Sequence, residues 1–487
     1  CRQRDKETEM TIKLVRARTA GQHHLLPLLL HLSPAILLLL PPCSASASAV
    51  VTHLPGFDGP LPFYLETGYV GVDEETGAEL FYYFVESERN PGTDPVLLWL
   101  TGGPGCSGFS GLVFEVGPLK FVLEPYDGIL PRLVYNPYSW SKIASIIFLD
   151  SPVGAGFSYA RDPKGYNVGD ISSSLQVVTF LNKWFSDHPS YISNPFYIGG
   201  SSYAGMVVPV IAEYISEGNE QRKQQKINLK GYIVGNPLTG SPLIDSNSRI
   251  PYAHGVGIIS DQLYEAAVEN CKGDYVSPMN KMCEGILNTI NSLISEVDQG
   301  YILDDKCVIV AQKPMKDDVV RDMFLSEEDI HLEPSPHPTI NCFSYRYYLS
   351  NVWANKNKTR DALRIKQGTI GEWVRCIKGF PHTFDVPSSI EYQFNLTTKG
   401  YRALVISGDH DIMVPFLGTQ AWIRSLNFSV VDDWRAWHVD GQCAGFTIAY
   451  ANQMTFATVK GGGHTAVSYR PKQGFVMAQR WMGGKPL

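Results

Sequence analysis

Along this chain, short and wholly apolar runs alternate with stretches in which apolar residues recur every three or four positions. Pro95-Val96-Leu97-Leu98-Trp99-Leu100, Ser145-Ile146-Ile147-Phe148-Leu149-Asp150, Phe196-Tyr197-Ile198 and Lys230-Gly231-Tyr232-Ile233-Val234-Gly235-Asn236 are of the first kind. So are Arg402-Ala403-Leu404-Val405-Ile406-Ser407 and Met454-Thr455-Phe456-Ala457-Thr458-Val459. Runs this short with no polar side predict strands buried on both faces. Residues 171–185 predict a helix, as does the stretch holding Met206, Val207, Val210, Ile211, Tyr214 and Ile215. Gly68-Tyr69-Val70-Gly71-Val72 and Ala78-Glu79-Leu80-Phe81-Tyr82-Tyr83-Phe84 flank a Glu-Glu-Thr-Gly turn and predict a β-hairpin. Strands alternating with helices predict an α/β fold built on a mainly parallel, doubly wound sheet. Between 239 and 342 the pattern turns polar and helical and lacks buried-strand runs. We read residues 239–342 as an inserted cap, with 50–238 and 343–487 as the two parts of the core. The charge mixture at 313–329 reads as a solvated loop open to cleavage.

One stretch joins the two patterns. Phe196-Tyr197-Ile198-Gly199-Gly200-Ser201-Ser202-Tyr203-Ala204-Gly205 is a strand, a knot of small residues and the start of a helix. A serine at such an apex matches the nucleophile elbow of α/β-hydrolases, whose turn needs small residues two before and two after the serine. Gly200-x-Ser202-x-Ala204 meets that demand. The other register would place Tyr203 where no ring fits, so Ser202 is the candidate nucleophile.

The 487 residues are 44% hydrophobic and 18% charged, an ordinary globular composition, and the net charge of −7 with no basic run argues against a nucleic-acid partner. Lys13, Arg16 and Arg18 precede an apolar run at 25–40, then Pro41-Pro42 and a small-residue end at Ala47-Ser48-Ala49. Residues 1–49 therefore read as a signal peptide cleaved after Ala49, with the natural start at Met10. Pro34 and the modest length of the run argue against a membrane anchor, and no later stretch is apolar enough to span a bilayer. Secretion predicts disulfides among the seven cysteines beyond the leader, Cys106, Cys271, Cys283, Cys307, Cys342, Cys376 and Cys443, with one thiol left over. No cysteine or histidine spacing predicts a metal. Sequons at Asn357, Asn395 and Asn427 predict a glycoprotein.

An activated serine needs a base and an acid to orient the base, in the chain order Ser, Asp or Glu, His for this kind of sheet. Two later strand ends supply them. Gly461-Gly462-Gly463-His464 offers a histidine on a glycine-rich turn, and Gly408-Asp409-His410-Asp411 offers two acids. Asp411 lies further out, before the apolar Val414-Pro415, and is preferred; Asp409 is expected to bond the turn. The oxyanion donors are expected from the Tyr203 N–H and from the Gly102-Gly103 turn.

Together, Trp99-Leu100-Thr101-Gly102-Gly103-Pro104-Gly105-Cys106-Ser107, Asp150-Ser151-Pro152-Val153-Gly154-Ala155-Gly156-Phe157-Ser158-Tyr159, the elbow, Gly408-Asp409-His410-Asp411 and Gly461-Gly462-Gly463-His464-Thr465 resemble the serine carboxypeptidase-like family of plants. The resemblance runs from about Val51 to the C-terminus. It implies an α/β-hydrolase fold with a cap, the triad Ser202, Asp411 and His464, and oxyanion donors at Gly103 and Tyr203. It also implies disulfides Cys106–Cys376, Cys271–Cys283 and Cys307–Cys342, leaving Cys443 free. Two chemistries occur in that family. Its peptidases resemble one another in an Asn before the Gly-Gly, a Glu before the nucleophile and a second Glu on the helix after the glycine turn, which together grip a peptide carboxylate. Here those positions hold Thr101, Ser201 and Glu115, and an ionised Glu115 alone would repel a carboxylate. Thr101 resembles the acyltransferase branch, while Ser201 departs from both patterns. The reading is an acyltransferase that uses a small-molecule ester donor such as an acyl-glucose and an alcohol or amine acceptor, with Thr101, Gly102, Glu115 and Ser201 lining the substrate and no cofactor. Its alternative is a carboxypeptidase acting on peptide C-termini; a binding protein without activity is a third. The expected location is the secretory pathway, in the vacuole or outside the cell.

Overall fold

The computed structural model describes residues 48–221, 225–307 and 338–487. The predicted signal peptide lies outside the described residues except for Ser48 and Ala49, and so does the loop at 313–329.

Eleven strands form one sheet. In chain order they are β1 (Ser48–Val50), β2 (Leu65–Asp73), β3 (Ala78–Val85), β4 (Val96–Leu100), β5 (Ser145–Leu149), β6 (Phe196–Ser201), β7 (Leu229–Gly235), β8 (Arg402–Gly408), β9 (Val430–Val439), β10 (Gln442–Tyr450) and β11 (Met454–Val459). In space they run β1-β2-β3-β5-β4-β6-β7-β8-β11-β10-β9. The six from β5 to β11 in that order pair in parallel, and both edges are antiparallel.

The apolar runs are central strands because both their faces are covered. Side chains alternate across a strand, so Val96, Leu98 and Leu100 of β4 join one core while Leu97 and Trp99 join the other. Helices α1 (Asp170–Asp187) and α2 (Ala204–Gln221) cover the first face with Leu181, Trp184, Val208 and Ile211. The Ser344–Ala354 and Pro471–Met482 helices cover the second with Trp353, Met477 and Trp481. Each large apolar side chain so withdrawn from water contributes about 1.5–3 kcal/mol.

The stretch read as an inserted cap has no strand among its described residues. Its helices Arg249–Gly255, Asp261–Cys271 and Lys281–Ser295 bury Ile250, Leu287, Ile290 and Ile294 in a small separate core. Ile412, from the loop that follows β8, completes that core. The next residues clamp the crest of the sheet: Gln299 O accepts from the Ile412 and Met413 N–H groups, and Gly300 O accepts from the His464 N–H at 2.6 Å.

The β9–β10 hairpin is absent from the hydrophobic pattern. Val430–Val439 mixes Asp432, Asp433 and Arg435 with aromatics, because it is an edge strand that largely faces solvent. Its signal is the turn: Asp440 and Gly441 both have positive φ, 49° and 74°, as a two-residue hairpin loop requires.

Candidate active site

β6 ends at Ser201, and Ser202 follows with φ of 62°, in the left-handed region that a residue with a Cβ rarely occupies. The turn holds because its neighbours are small. A Cβ on Gly200 would lie 2.5 Å from both the Ala204 Cβ and the Leu100 carbonyl oxygen. The Ser202 N–H donates to Gly235 O at 2.8 Å, fixing the serine over the carboxyl end of β7.

The loops after β8 and β11 meet it there. His464 Nε2 lies 2.8 Å from Ser202 Oγ, and His464 Nδ1 lies 2.9 Å from Asp411 Oδ2. A carboxylate only accepts, so Nδ1 carries the proton and Nε2 is left to accept from the serine hydroxyl. Asp411 is fully buried and takes three further hydrogen bonds, from Asn236 Nδ2 at 2.8 Å and from the Met413 and Val414 N–H groups. Asn236 is a site residue that the sequence reading missed; its signal was a lone amide at the carboxyl end of a buried strand. Asp409 sits apart from the serine, accepting from the Gly461 N–H and pairing with His410.

Burial acts to lower the His464 pKa, but the charge and hydrogen bond of Asp411, with the charges of Glu115 and Asp298, hold it above its usual value. Asp298 was also missed. It is pushed up by burial while accepting from the Gly300 and Tyr301 N–H groups.

Beside the serine, a Cβ on Gly102 would come within 2.8 Å of Ser202 Cβ and 3.0 Å of the Tyr203 nitrogen. Only glycine lets the β4 turn approach so closely. Gly103 follows with φ of 130°. The Gly103 and Tyr203 N–H groups have no protein acceptor among the described residues, so both are free to serve a ligand oxygen.

Thr101 holds a buried hydroxyl without a hydrogen-bond partner among the described residues, and Ser201 is buried with its Oγ toward Gly235. Glu115 ends a π-helical turn, Gly111–Glu115, and accepts from Trp99 Nε1 at 2.7 Å. Burial pushes its carboxyl up to about 7, against the opposing pull of the Trp99 bond and the Arg375 and His464 charges. The ionised Glu115 that the sequence suggested is therefore neutral at acidic pH. Arg375 lies 3.7 Å from the centre of the Tyr347 ring nearby.

Disulfides join Cys106 to Cys376, Cys271 to Cys283 and Cys307 to Cys342, and Cys443 is a free, half-buried thiol. Asn357 and Asn427 are exposed; Asn395 is half-buried and donates to Glu213. Among the described residues no cluster of three or more metal-ligating side chains occurs, and no helix is long and apolar enough to cross a membrane.

Residues 55–484 match the family model described as serine carboxypeptidase. Serine carboxypeptidase-like 3 of Arabidopsis thaliana is 50% identical over 444 residues, covering 91% of this chain and 94% of the relative. Serine carboxypeptidase-like 2 of the same plant is 48% identical over 443 residues, with the same coverage. Among solved structures, KEX1(delta)p, a prohormone-processing carboxypeptidase from Saccharomyces cerevisiae, superposes with a TM-score of 0.67 at 22% identity, over 89% of this chain and 94% of that one. That likeness shows the α/β-hydrolase fold. By the family match and its plant relatives, this chain belongs to the serine carboxypeptidase family.

Proposed function

We propose that the enzyme transfers an acyl group from an activated ester, such as an acyl-glucose, to an alcohol or amine through an acyl–Ser202 intermediate. Ser202 Oγ attacks the acyl carbonyl carbon as its proton passes to His464 Nε2. Asp411, held by Asn236, keeps the imidazole in the required tautomer and faces the imidazolium that forms. The Gly103 and Tyr203 N–H groups stabilise the oxyanion. The carbon–oxygen bond to the donor alcohol breaks, and that oxygen takes the proton from His464. The acceptor then gives its proton to His464 and attacks the acyl carbon, and Ser202 recovers its proton. Residues 239–342 form the cap in this reading, and shielding the acyl-enzyme from water is its role.

The observation that supports transfer over peptide hydrolysis is the pair Thr101 and Ser201. Two short hydroxyls stand where a peptidase of this family keeps an amide and a carboxylic acid, so the grip on a peptide carboxylate is reduced to Glu115. One observation favours the second reading, a carboxypeptidase: below about pH 7 Glu115 is protonated and can donate a hydrogen bond to a carboxylate.

The test gives the purified glycoprotein a panel of acyl-glucoses with mixed alcohols and, in parallel, blocked dipeptides at acid pH. Acyl transfer that is lost in Ser202→Ala is expected. Release of a C-terminal amino acid, with no transfer, would overturn the reading. We also infer a secretory-pathway protein, vacuolar or extracellular, supported by the N-terminal pattern and by three disulfides that a reducing compartment would oppose. N-glycosidase treatment of the plant protein should increase its gel mobility, and no change would remove the sequons from that argument.

A further inference from the structure

Tyr203 follows the nucleophile, and its amide is one of the two groups free to meet a developing oxyanion. Its side chain does not point to solvent. The hydroxyl donates to Asp170 Oδ1 at the first turn of α1. His382 Nε2 lies 2.9 Å from the same oxygen, and the Val386 N–H donates to Asp170 Oδ2 at 3.1 Å. The side chains of Asp170 and His382 are 0% and 1% exposed. His382 Nδ1 has no partner among the described residues, so the ring makes no polar contact outside this group. A buried carboxylate is costly unless every lone pair is used. Three donors and the N-terminal end of α1 supply that compensation, and one of the three is the tyrosine.

The other donors come from a single strap, residues 375–386, whose opposite end sits on the other oxyanion element. Arg375 O accepts from the Ser107 N–H at 2.7 Å, and Cys376 is disulfide-bonded to Cys106, three residues past Gly103. The Phe380 ring packs against Gly105, where a Cβ would lie 2.7 Å from it. The strap then runs parallel to Val168–Gly169 through His382–Thr383. Asp385 accepts from the Ile171 N–H, and Val386 packs in one apolar cluster with Tyr203 and Met206.

We propose that residues 375–386 act as a positioning strap that sets the two oxyanion donors relative to each other. The Cys106–Cys376 end fixes the Gly103 turn, and the His382–Asp170–Tyr203 relay fixes the Tyr203 amide. Asp170 and His382 are positioning residues, since they act through Tyr203 and touch no reacting atom. Oxyanion stabilisation depends steeply on donor placement, and a hydroxyl anchored at the far end of the side chain that carries the amide is a lever on it. The inference rests on the reading of Ser202 as nucleophile but not on whether the acyl group goes to water or to an alcohol.

The experiment therefore uses p-nitrophenyl esters, which any acyl-enzyme can turn over, with Tyr203→Phe, Asp170→Asn and His382→Gln. Tyr203→Phe deletes one hydroxyl and keeps the ring, so it is the variant least able to disturb folding. We expect kcat to fall by about tenfold with KM within about twofold, because the donors act in the transition state and not on bound substrate. Affinity for an arylboronic acid, whose tetrahedral adduct occupies the oxyanion position, should fall by the same factor. His382→Gln, which keeps a side-chain donor for Asp170, should recover most of the activity that His382→Leu loses. Unchanged kcat and boronate affinity in Tyr203→Phe, whatever its melting temperature, would overturn the strap. Hydrolysis that persists in Ser202→Ala would instead overturn the reading of the nucleophile on which it stands.

Discussion

Two corners of one site lie side by side at the crest of this sheet, and they are built differently. At the Ser202 corner every geometry is enforced by something that cannot yield. Glycine contacts fix the turn, buried hydrogen bonds hold Asp411, and the backbone of 299–300 pins the loops that carry Asp411 and His464. At the Thr101–Ser201–Glu115 corner two side chains are short, the carboxyl titrates at about 7, and the Thr101 hydroxyl lacks a partner among the described residues. In the proposed reading the first corner forms and breaks the acyl-enzyme, a task that is the same for many substrates and gains from rigidity. The proposal gives the second corner the group that receives the acyl chain, which differs between enzymes, so that corner can change without disturbing the first.

Substitutions can test that division. The largest effect is expected at Asp411→Asn, which keeps the shape but offers His464 the wrong partner; kcat on an activated ester should fall about 10⁴-fold with little change in KM. A fall under about tenfold would mean that Asn236 and the loop alone orient the base. Next, Gly102→Ala forces a Cβ against Ser202 and the Tyr203 amide, and should cost about 10²-fold in kcat. Retained activity would separate the β4 turn from the oxyanion. At the second corner, Thr101→Asn with Ser201→Glu should raise dipeptide hydrolysis by about tenfold or more in kcat/KM while leaving ester turnover near wild type. No gain would locate specificity elsewhere, in the cap region. The smallest effect is a change of profile. The folded Glu115 carboxyl titrates at about 7, so it is protonated and able to donate below that pH and loses this ability above it. Residual binding of a peptide carboxylate should weaken as pH rises through about 7, and Glu115→Gln should flatten the dependence. An unchanged profile in the Gln variant would assign the titration to His464.

Much of the first corner was legible in the sequence because it is made of backbone constraints, and these leave marks in residue type. Gly200 and Ala204 declare the tight turn around Ser202, and Gly461-Gly462-Gly463 declares the approach of His464. The six central strands declared themselves because strands covered on both faces are apolar throughout. What escaped notice depends on partners distant in the chain. Asn236 gains meaning only when β8 brings Asp411 beside it, and Asp298 only when its loop folds against His464. The protonation of Glu115 follows from burial, against the pull of the Trp99 bond, and cannot be read from a Glu on a helix. The β9–β10 hairpin hid for the opposite reason: solvent on one side frees it from any apolar pattern, leaving Asp440-Gly441 as its sole mark.

The disulfide framework has a consequence for the covalent integrity of the molecule. Cys307–Cys342 and Cys106–Cys376 both bridge across the interval between residues 307 and 342. Were the backbone nicked once in that interval, two crosslinks would still hold the fragments together. One fragment would carry β1 to β7 and Ser202, and the other β8 to β11, Asp411 and His464. On a denaturing gel such a protein would migrate as one species until reductant is added and as two afterwards. Ser202 and His464, 2.8 Å apart, would then belong to different polypeptides.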